Sequence, residues 1–180
     1  MLLVVDNGSI YTKNLIYFLK NQNILFEKQT PQFLDLNSLE KYDSIILSGR
    51  KKNEKKINEI NSKIITYSIK NNIKLLGICY GAEILALTLG GTIRKTLSLQ
   101  KCNEIIKIFK ENAISNDSLD VFESHRFEIS KLPSVLVPLA ESKHCKYEII
   151  QYEKKLIFGT QFHPEMSQDG HDLIEKFCSL

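Results

Sequence analysis

The chain has 180 residues, 43% hydrophobic and 25% charged, the make-up of one folded domain rather than of a disordered or fibrous chain. Its 24 Lys and Arg against 21 Asp and Glu leave a formal charge of +3, too slight to argue for nucleic acid. No apolar run approaches the roughly 18–20 residues that a membrane-spanning helix needs, so neither nucleic acid nor a membrane is an expected partner.

Leu2 to Val5 is a short apolar run ended by the turn cluster Asp6-Asn7-Gly8-Ser9, which reads as a buried first strand rather than a signal peptide. Leu15, Ile16, Phe18 and Leu19 recur at helical spacing and predict a helix over Tyr11 to Asn21. Ile24 to Glu27 reads as a second strand and Ser44 to Leu47 as a third. A polar, basic helix with Ile57, Ile60, Ile64 and Ile65 on one face comes next. Lys74 to Ile78 is a further buried strand, and Gly81 to Leu89 a helix that Gly90-Gly91 ends. In the second half, Ile105 to Phe109, Leu119 to Phe122, Val135 to Ala140, Tyr147 to Tyr152 and Leu156 to Gln161 read as strands, before a last helix over Gly170 to Cys178. Strands alternating with helices imply a mainly parallel sheet covered on both faces. The expectation is one three-layer α/β domain over residues 1–180, with a mainly parallel central sheet flanked by helices and a smaller antiparallel strand region in the second half.

Cys79, Cys102, Cys145 and Cys178 form no CxxC pair and stand at no zinc-ligand spacing, so no metal is expected. A chain this long buries enough surface to need no disulfide staple, and free thiols fit a reducing cytoplasm.

The sharpest chemical signal is Leu76-Gly77-Ile78-Cys79-Tyr80-Gly81, where an apolar strand meets a helix. A residue at such a turn stands at the sheet's carboxyl edge, where open α/β folds place their ligands. Glycines two residues to either side leave room for a sharp turn of the nucleophile-elbow kind. The helix amides behind the sulfur favour thiolate over thiol. A small cysteine buried beside packing glycines is the plain alternative. A thiolate nucleophile needs a proton carrier, itself oriented by a third group. His163, in Gln161-Phe162-His163-Pro164-Glu165, follows an apolar strand, and Glu165 lies two residues beyond. Together these residues suggest a Cys79–His163–Glu165 triad.

The segments Gly77-Ile78-Cys79-Tyr80-Gly81 and Phe162-His163-Pro164-Glu165, 84 residues apart at Cys79 and His163, resemble the class I, triad-type glutamine amidotransferases. Asp6-Asn7-Gly8-Ser9-Ile10-Tyr11-Thr12, Ile45-Ile46-Leu47-Ser48-Gly49, Ser124-His125 and Gly159-Thr160-Gln161 extend the likeness over the whole chain, most strongly to the stand-alone amidotransferase subunits of two-subunit, archaeal-type GMP synthetases. The resemblance implies glutamine hydrolysis through a thioester on Cys79, with His163 moving protons and Glu165 setting its tautomer. It further implies an oxyanion site built from the Tyr80 N–H and the Gly49-Arg50 loop, no cofactor, and a separate ATP-dependent synthetase subunit that takes the ammonia. The chain carries no GxxxxGK[ST] phosphate loop of its own.

Three places depart from that family's pattern. Arg50 stands where a second glycine is usual, and a left-handed backbone there would cost an Arg of order 1 kcal/mol. Glu83 replaces a glutamine that helps to hold the substrate; a carboxylate repels the substrate's carboxylate and attracts its ammonium. The stretch Met166-Ser167-Gln168-Asp169 is shorter than usual and lacks a His-Thr pair. Hydrolysis of another γ-glutamyl or amide compound, or a catalytically quiet binding or regulatory role, are the competing readings. His125 is expected near the pocket or a docking face, His144 and His171 in solvent, and Cys102, Cys145 and Cys178 in packing roles.

Overall fold

Short apolar segments closed by turns alternate with amphipathic helices through the first half of the chain, and they fold as that pattern requires. The computed structural model describes residues 1–115 and 118–180. Strand β1 (Leu2–Val5), helix α1 (Thr12–Asn21), β2 (Phe26–Gln29), β3 (Ser44–Leu47), α2 (Lys55–Asn71), β4 (Lys74–Ile78) and α3 (Tyr80–Thr88) form the first half. Strands β5 (Thr92–Ile108), β6 (Leu119–Lys131), β7 (Leu136–Glu141), β8 (Ile149–Tyr152) and β9 (Ile157–Thr160) follow, and α4 (Gln168–Ser179) ends the chain. Single 3-10 segments span Leu36–Lys41 and Pro164–Met166.

All nine strands join one sheet in the order β2-β1-β3-β4-β9-β8-β7-β5-β6. The pairings from β2 through β9 are parallel, and those from β9 through β6 antiparallel. The expected mainly parallel sheet with a smaller antiparallel region is therefore corrected to one mixed sheet. The reason lies in β5 and β6, which run for 17 and 13 residues. Most of β5 is solvated, and Arg94, Lys95 and Lys101 interrupt any apolar alternation, so only its end at Ile105 to Ile108 carries a strand signal.

The period-two geometry of a strand sorts the parallel half into two cores. Leu2, Val4, Ile46, Leu76 and Ile78 face Leu15, Phe18 and Leu19 of α1 and Leu173, Ile174 and Phe177 of α4. Leu3, Val5, Ile45, Leu47 and Leu75 face Ile64 and Ile65 of α2 and Ala82, Leu85 and Ala86 of α3. Burying each such side chain contributes about 1.5–3 kcal/mol. Among the described residues no helix is long and apolar enough to cross a membrane.

Candidate active site

Strands β4 and β9 are hydrogen-bonded neighbours, with Gly77 opposite Gly159 and Ile78 opposite Thr160. Their carboxyl ends therefore deliver Cys79 and the Phe162-His163 segment to one place, and the Cys79 amide donates to the Thr160 carbonyl at 2.7 Å. Cys79 holds φ 51 and ψ −102, a left-handed conformation that a side chain rarely adopts. Its flanking glycines are required by contact. A Cβ on Gly77 would stand 2.4 Å from the Gly81 backbone, and one on Gly81 would stand 2.5 Å from the Leu47 carbonyl oxygen. The elbow is thus wedged between its own first helical turn and the end of β3. As the first helical residue, Tyr80 has an N–H without an intrahelical acceptor, free to point at a developing oxyanion.

The His163 backbone N–H donates to the Phe122 carbonyl at 2.9 Å, tying the segment to β6. In the ring, Nδ1 lies 2.9 Å from Glu165 Oε1, with both residues buried. That fixes Nδ1–H as the donor and leaves Nε2 for the sulfur, and the two groups shift each other's titration. Pro164 between them starts the 3-10 turn that brings Glu165 back. Tyr11 packs against the imidazole with ring centroids 4.6 Å apart, and its hydroxyl bonds Ser124 at 3.1 Å. The Gly49 backbone lies so close that a Cβ there would meet His163 Cε1 at 3.0 Å.

The charges are set by burial against neighbours. Burial works against the His163 imidazolium, but Glu165 and then Cys79 outweigh it and raise its pKa well above the ordinary value. Burial outweighs the pull of His163 and holds the Cys79 thiol above its ordinary value, so the thiolate expected from the helix amides alone is not favoured. The arrangement can form a thiolate as the thiol proton passes to His163, and can hand that proton on to a leaving group or take one from water.

A cleft of about 290 Å³ opens onto Cys79, bounded by Arg50, Lys51, Tyr80, Glu83, His125 and Arg126 among others. Arg50 does not occupy the left-handed region, so the strain expected of an arginine here is absent. Its guanidinium lies over the Tyr80 ring at 4.1 Å and donates to Asn53 Oδ1 at 2.7 Å and Asn58 Oδ1 at 2.9 Å. The Tyr80 hydroxyl also donates to Asn58, at 2.8 Å. A buried amide network holds the loop from beneath: Asn7 Nδ2 donates to the Ser48 carbonyl at 3.0 Å, and Asn61 Nδ2 donates to Asn7 Oδ1 at 2.8 Å. Glu83 is only 4% exposed, and burial lifts its carboxyl above the usual range against the pull of Arg50 and a hydrogen bond from Gln161.

The other expectations divide. His144 is exposed, as anticipated, whereas His171 is half-buried, stacks on Phe18 at 4.4 Å and turns Nε2 toward the Glu165 carbonyl at 3.3 Å. Cys145 is buried and Cys178 half-buried, but Cys102 is exposed and packs nothing, because it falls on the solvated part of β5. His125 is buried, with Nδ1 bonding the Phe127 carbonyl at 2.9 Å and Nε2 3.0 Å from Glu123 Oε2. Sequence reasoning missed Glu123 and Glu148, two buried acids beside His125. Burial lifts Glu123 to about 7, and burial with the Glu123 charge lifts Glu148 well above the carboxylate range. One lies in β6 and the other just before β8, and neither segment carries a local signal. Tyr11 and Gln161 lie inside recognised segments, but nothing in the sequence marks their contacts.

A strained cysteine elbow that opens on a cleft, with a carboxylate-held imidazole beside it, is the pattern of a family of cysteine-dependent α/β enzymes. The chain matches the family described as glutamine amidotransferase class-I over residues 3–179, and it belongs to that family. It is similar to the A-subunit of the glutamine-hydrolyzing GMP synthase of Pyrococcus furiosus, 30% identical over 188 residues, covering 100% of this chain and 98% of the relative. The protein of the same name from Methanocaldococcus jannaschii is 27% identical over 187 residues, covering 100% and 97%. Among solved structures, a Thermoplasma acidophilum protein provisionally described as a GMP synthase A-subunit superposes with a TM-score of 0.87 at 26% identity, covering 99% of this chain and 92% of that one.

Proposed function

We propose that residues 1–180 act as one glutamine-hydrolysing amidotransferase subunit that supplies ammonia to a separate ATP-dependent synthetase subunit. The observation that carries this reading is the strained Cys79 at the cleft, with the Glu165-bound His163 delivered beside it by the neighbouring strand β9. Cys79, as thiolate, attacks the side-chain amide carbon of glutamine. The amide oxygen takes the charge and meets the N–H of Tyr80 and one from the Gly49-Arg50 loop; losing one such donor typically costs about 3–4 kcal/mol of barrier. The His163 imidazolium gives its proton to the departing nitrogen, ammonia leaves, and a glutamyl thioester remains on Cys79. His163, now neutral, takes a proton from water as the water attacks the thioester, and glutamate and the thiolate are released. Glu165 keeps Nδ1 protonated throughout, so Nε2 does the transfer.

The names of the relatives favour a synthetase acting in GMP synthesis as the acceptor's enzyme. The test is intact-mass analysis after incubation with a glutamine-mimicking diazoketone, with Cys79→Ala as control. A single adduct that requires Cys79 and is suppressed by excess glutamine is expected. A Cys79 that reacts with iodoacetamide but never with the diazoketone would sink the glutaminase reading and favour a quiet regulatory role.

A further inference from the structure

The two donors proposed for the oxyanion come from different elements, the Tyr80 N–H at the start of α3 and the Gly49-Arg50 loop after β3. Side chains of this sequence join them. The half-buried Arg50 lays its guanidinium over the Tyr80 ring at 4.1 Å, and its Nη1 donates to Asn53 Oδ1 at 2.7 Å and to Asn58 Oδ1 at 2.9 Å. Asn58, on α2, also accepts from the Tyr80 hydroxyl at 2.8 Å and donates from Nδ2 to Asn53 Oδ1 at 2.9 Å. The four side chains thus close a ring of mutual contacts. Burial lifts the Tyr80 phenol to about 12, so it stays a donor. A glycine at position 50 would make none of the Arg50 contacts, so the ring is a product of this chain's departure from the usual pattern.

We propose that Arg50 is a positioning residue for the oxyanion site: through Tyr80 and Asn58 it fixes the Gly49-Arg50 backbone opposite the Tyr80 N–H, so the site stands assembled in the isolated chain. The inference rests on the glutaminase reading and adds how its site is kept formed without the synthetase. Donors stabilise a developing charge fully only when they are already aimed at it, since turning them during the reaction uses up the gain. The planar guanidinium suits the task because it stacks on a ring and reaches two amide oxygens at once, which a lysine ammonium does not. In this role Arg50 acts through the backbone and touches neither glutamine nor the sulfur.

The experiment is steady-state glutaminase kinetics on the isolated chain, Arg50→Ala, Arg50→Lys, Asn58→Ala and the double variant Arg50→Ala/Asn58→Ala. The unmodified chain is expected to hydrolyse glutamine with no second protein present. Arg50→Ala should lower kcat by about 10-fold or more, within the roughly 10²–10³-fold that loss of one donor costs. KM should change little, the mark of an interaction made in the transition state. Asn58 does not line the cleft, yet Asn58→Ala should lower kcat in the same way, and the double variant should fall by less than the product of the singles, because both break one ring. Arg50→Lys keeps the charge without the fork and should not restore kcat. A raised KM with kcat unchanged in Arg50→Ala would assign the guanidinium to the substrate's carboxylate and overturn the inference. Unchanged kcat in Asn58→Ala, multiplicative effects in the double variant, or full activity in Arg50→Lys would overturn it too. If Arg50→Ala does not fold, Asn58→Ala and Tyr80→Phe decide, the latter losing only the bond to Asn58. An isolated chain that takes the glutamine-mimicking diazoketone on Cys79 but does not hydrolyse glutamine overturns the inference and leaves the glutaminase reading standing. One that does neither, with iodoacetamide still alkylating Cys79, overturns both.

Discussion

The His163 ring is held by contacts of three kinds: Glu165 at Nδ1, the Tyr11 ring against its face, and the Gly49 backbone against Cε1. Only the first carries charge. Glu165→Gln removes the carboxylate that opposes burial, so the imidazolium loses its main stabiliser and the ring loses its tautomer constraint. Glutaminase kcat/KM is expected to fall by on the order of 10³-fold or more. The direction with pH follows: His163 titrates above its ordinary value, so the imidazolium that the proposed mechanism uses to protonate the leaving nitrogen persists above pH 6.5 and is lost as pH rises through the raised value. Glu165→Gln should move that alkaline limb to lower pH, which a pH–rate profile of the variant reads directly. The glycines of the elbow give a contrasting pair. Gly81→Ala drives a Cβ to 2.5 Å from the Leu47 carbonyl oxygen, a rigid backbone atom, and should cost about 1–3 kcal/mol in urea denaturation. Gly90→Ala meets nothing within 4 Å and pays only for its φ of +92, about 1 kcal/mol.

At the scale of elements, the loops after β1 and β3 are joined through Asn7, Ser48 and Asn61 of α2, all buried. Asn61→Ala strands the Asn7 side-chain oxygen and should lower stability by about 1–3 kcal/mol, with Cys79 reactivity falling as the Gly49-Arg50 loop loosens; denaturation and iodoacetamide alkylation rates check the two halves. What is legible in the sequence follows from the same physics. Strands β1, β3 and β4 are buried on both faces and read as unbroken apolar runs, so their positions can be read directly from the residues. The elbow is legible because glycine, cysteine and glycine at that spacing meet a helix start. The ribbon β5–β6 is not, because its stability comes from pairing with its own partner strand, with Lys95, Lys101 and Lys107 turned to solvent. Nor can Glu123 and Glu148 be placed inside by local pattern, since glutamate at those positions looks like a solvated residue until the sheet curls over it, whereas Glu83 is marked by its place in the first turn behind the elbow.

For the molecule as a whole, these three acids give an inverted pH response. Each has a folded pKa above the ordinary 4.5, with Glu123 at about 7. The native state therefore holds protons that the unfolded chain releases from about pH 4.5 upward, and stability falls as pH rises through that window. His163 acts in the same sense at higher pH, since its raised value stabilises the native state below pH 6.5 and that contribution is lost above. Thermal unfolding is expected at a lower temperature at pH 8 than at pH 5.5. Glu123→Gln, which cannot ionise, should flatten that slope; a slope unchanged by the substitution would place the response elsewhere.

The position of β9 carries a consequence for how the protein comes into being. The last strand made, Ile157–Thr160, occupies the middle of the sheet, between β4 and β8. A growing chain has synthesised its cysteine and the helix behind it long before the imidazole and its carboxylate exist, and it must hold a slot open until β9 arrives. Such long-range closure is slow. Until it happens Cys79 lacks the imidazole on which the proposed chemistry depends, so a C-terminally truncated chain is expected to keep its thiol and lose glutaminase activity. On that mechanism, maturation of the thiol and completion of the sheet are one event.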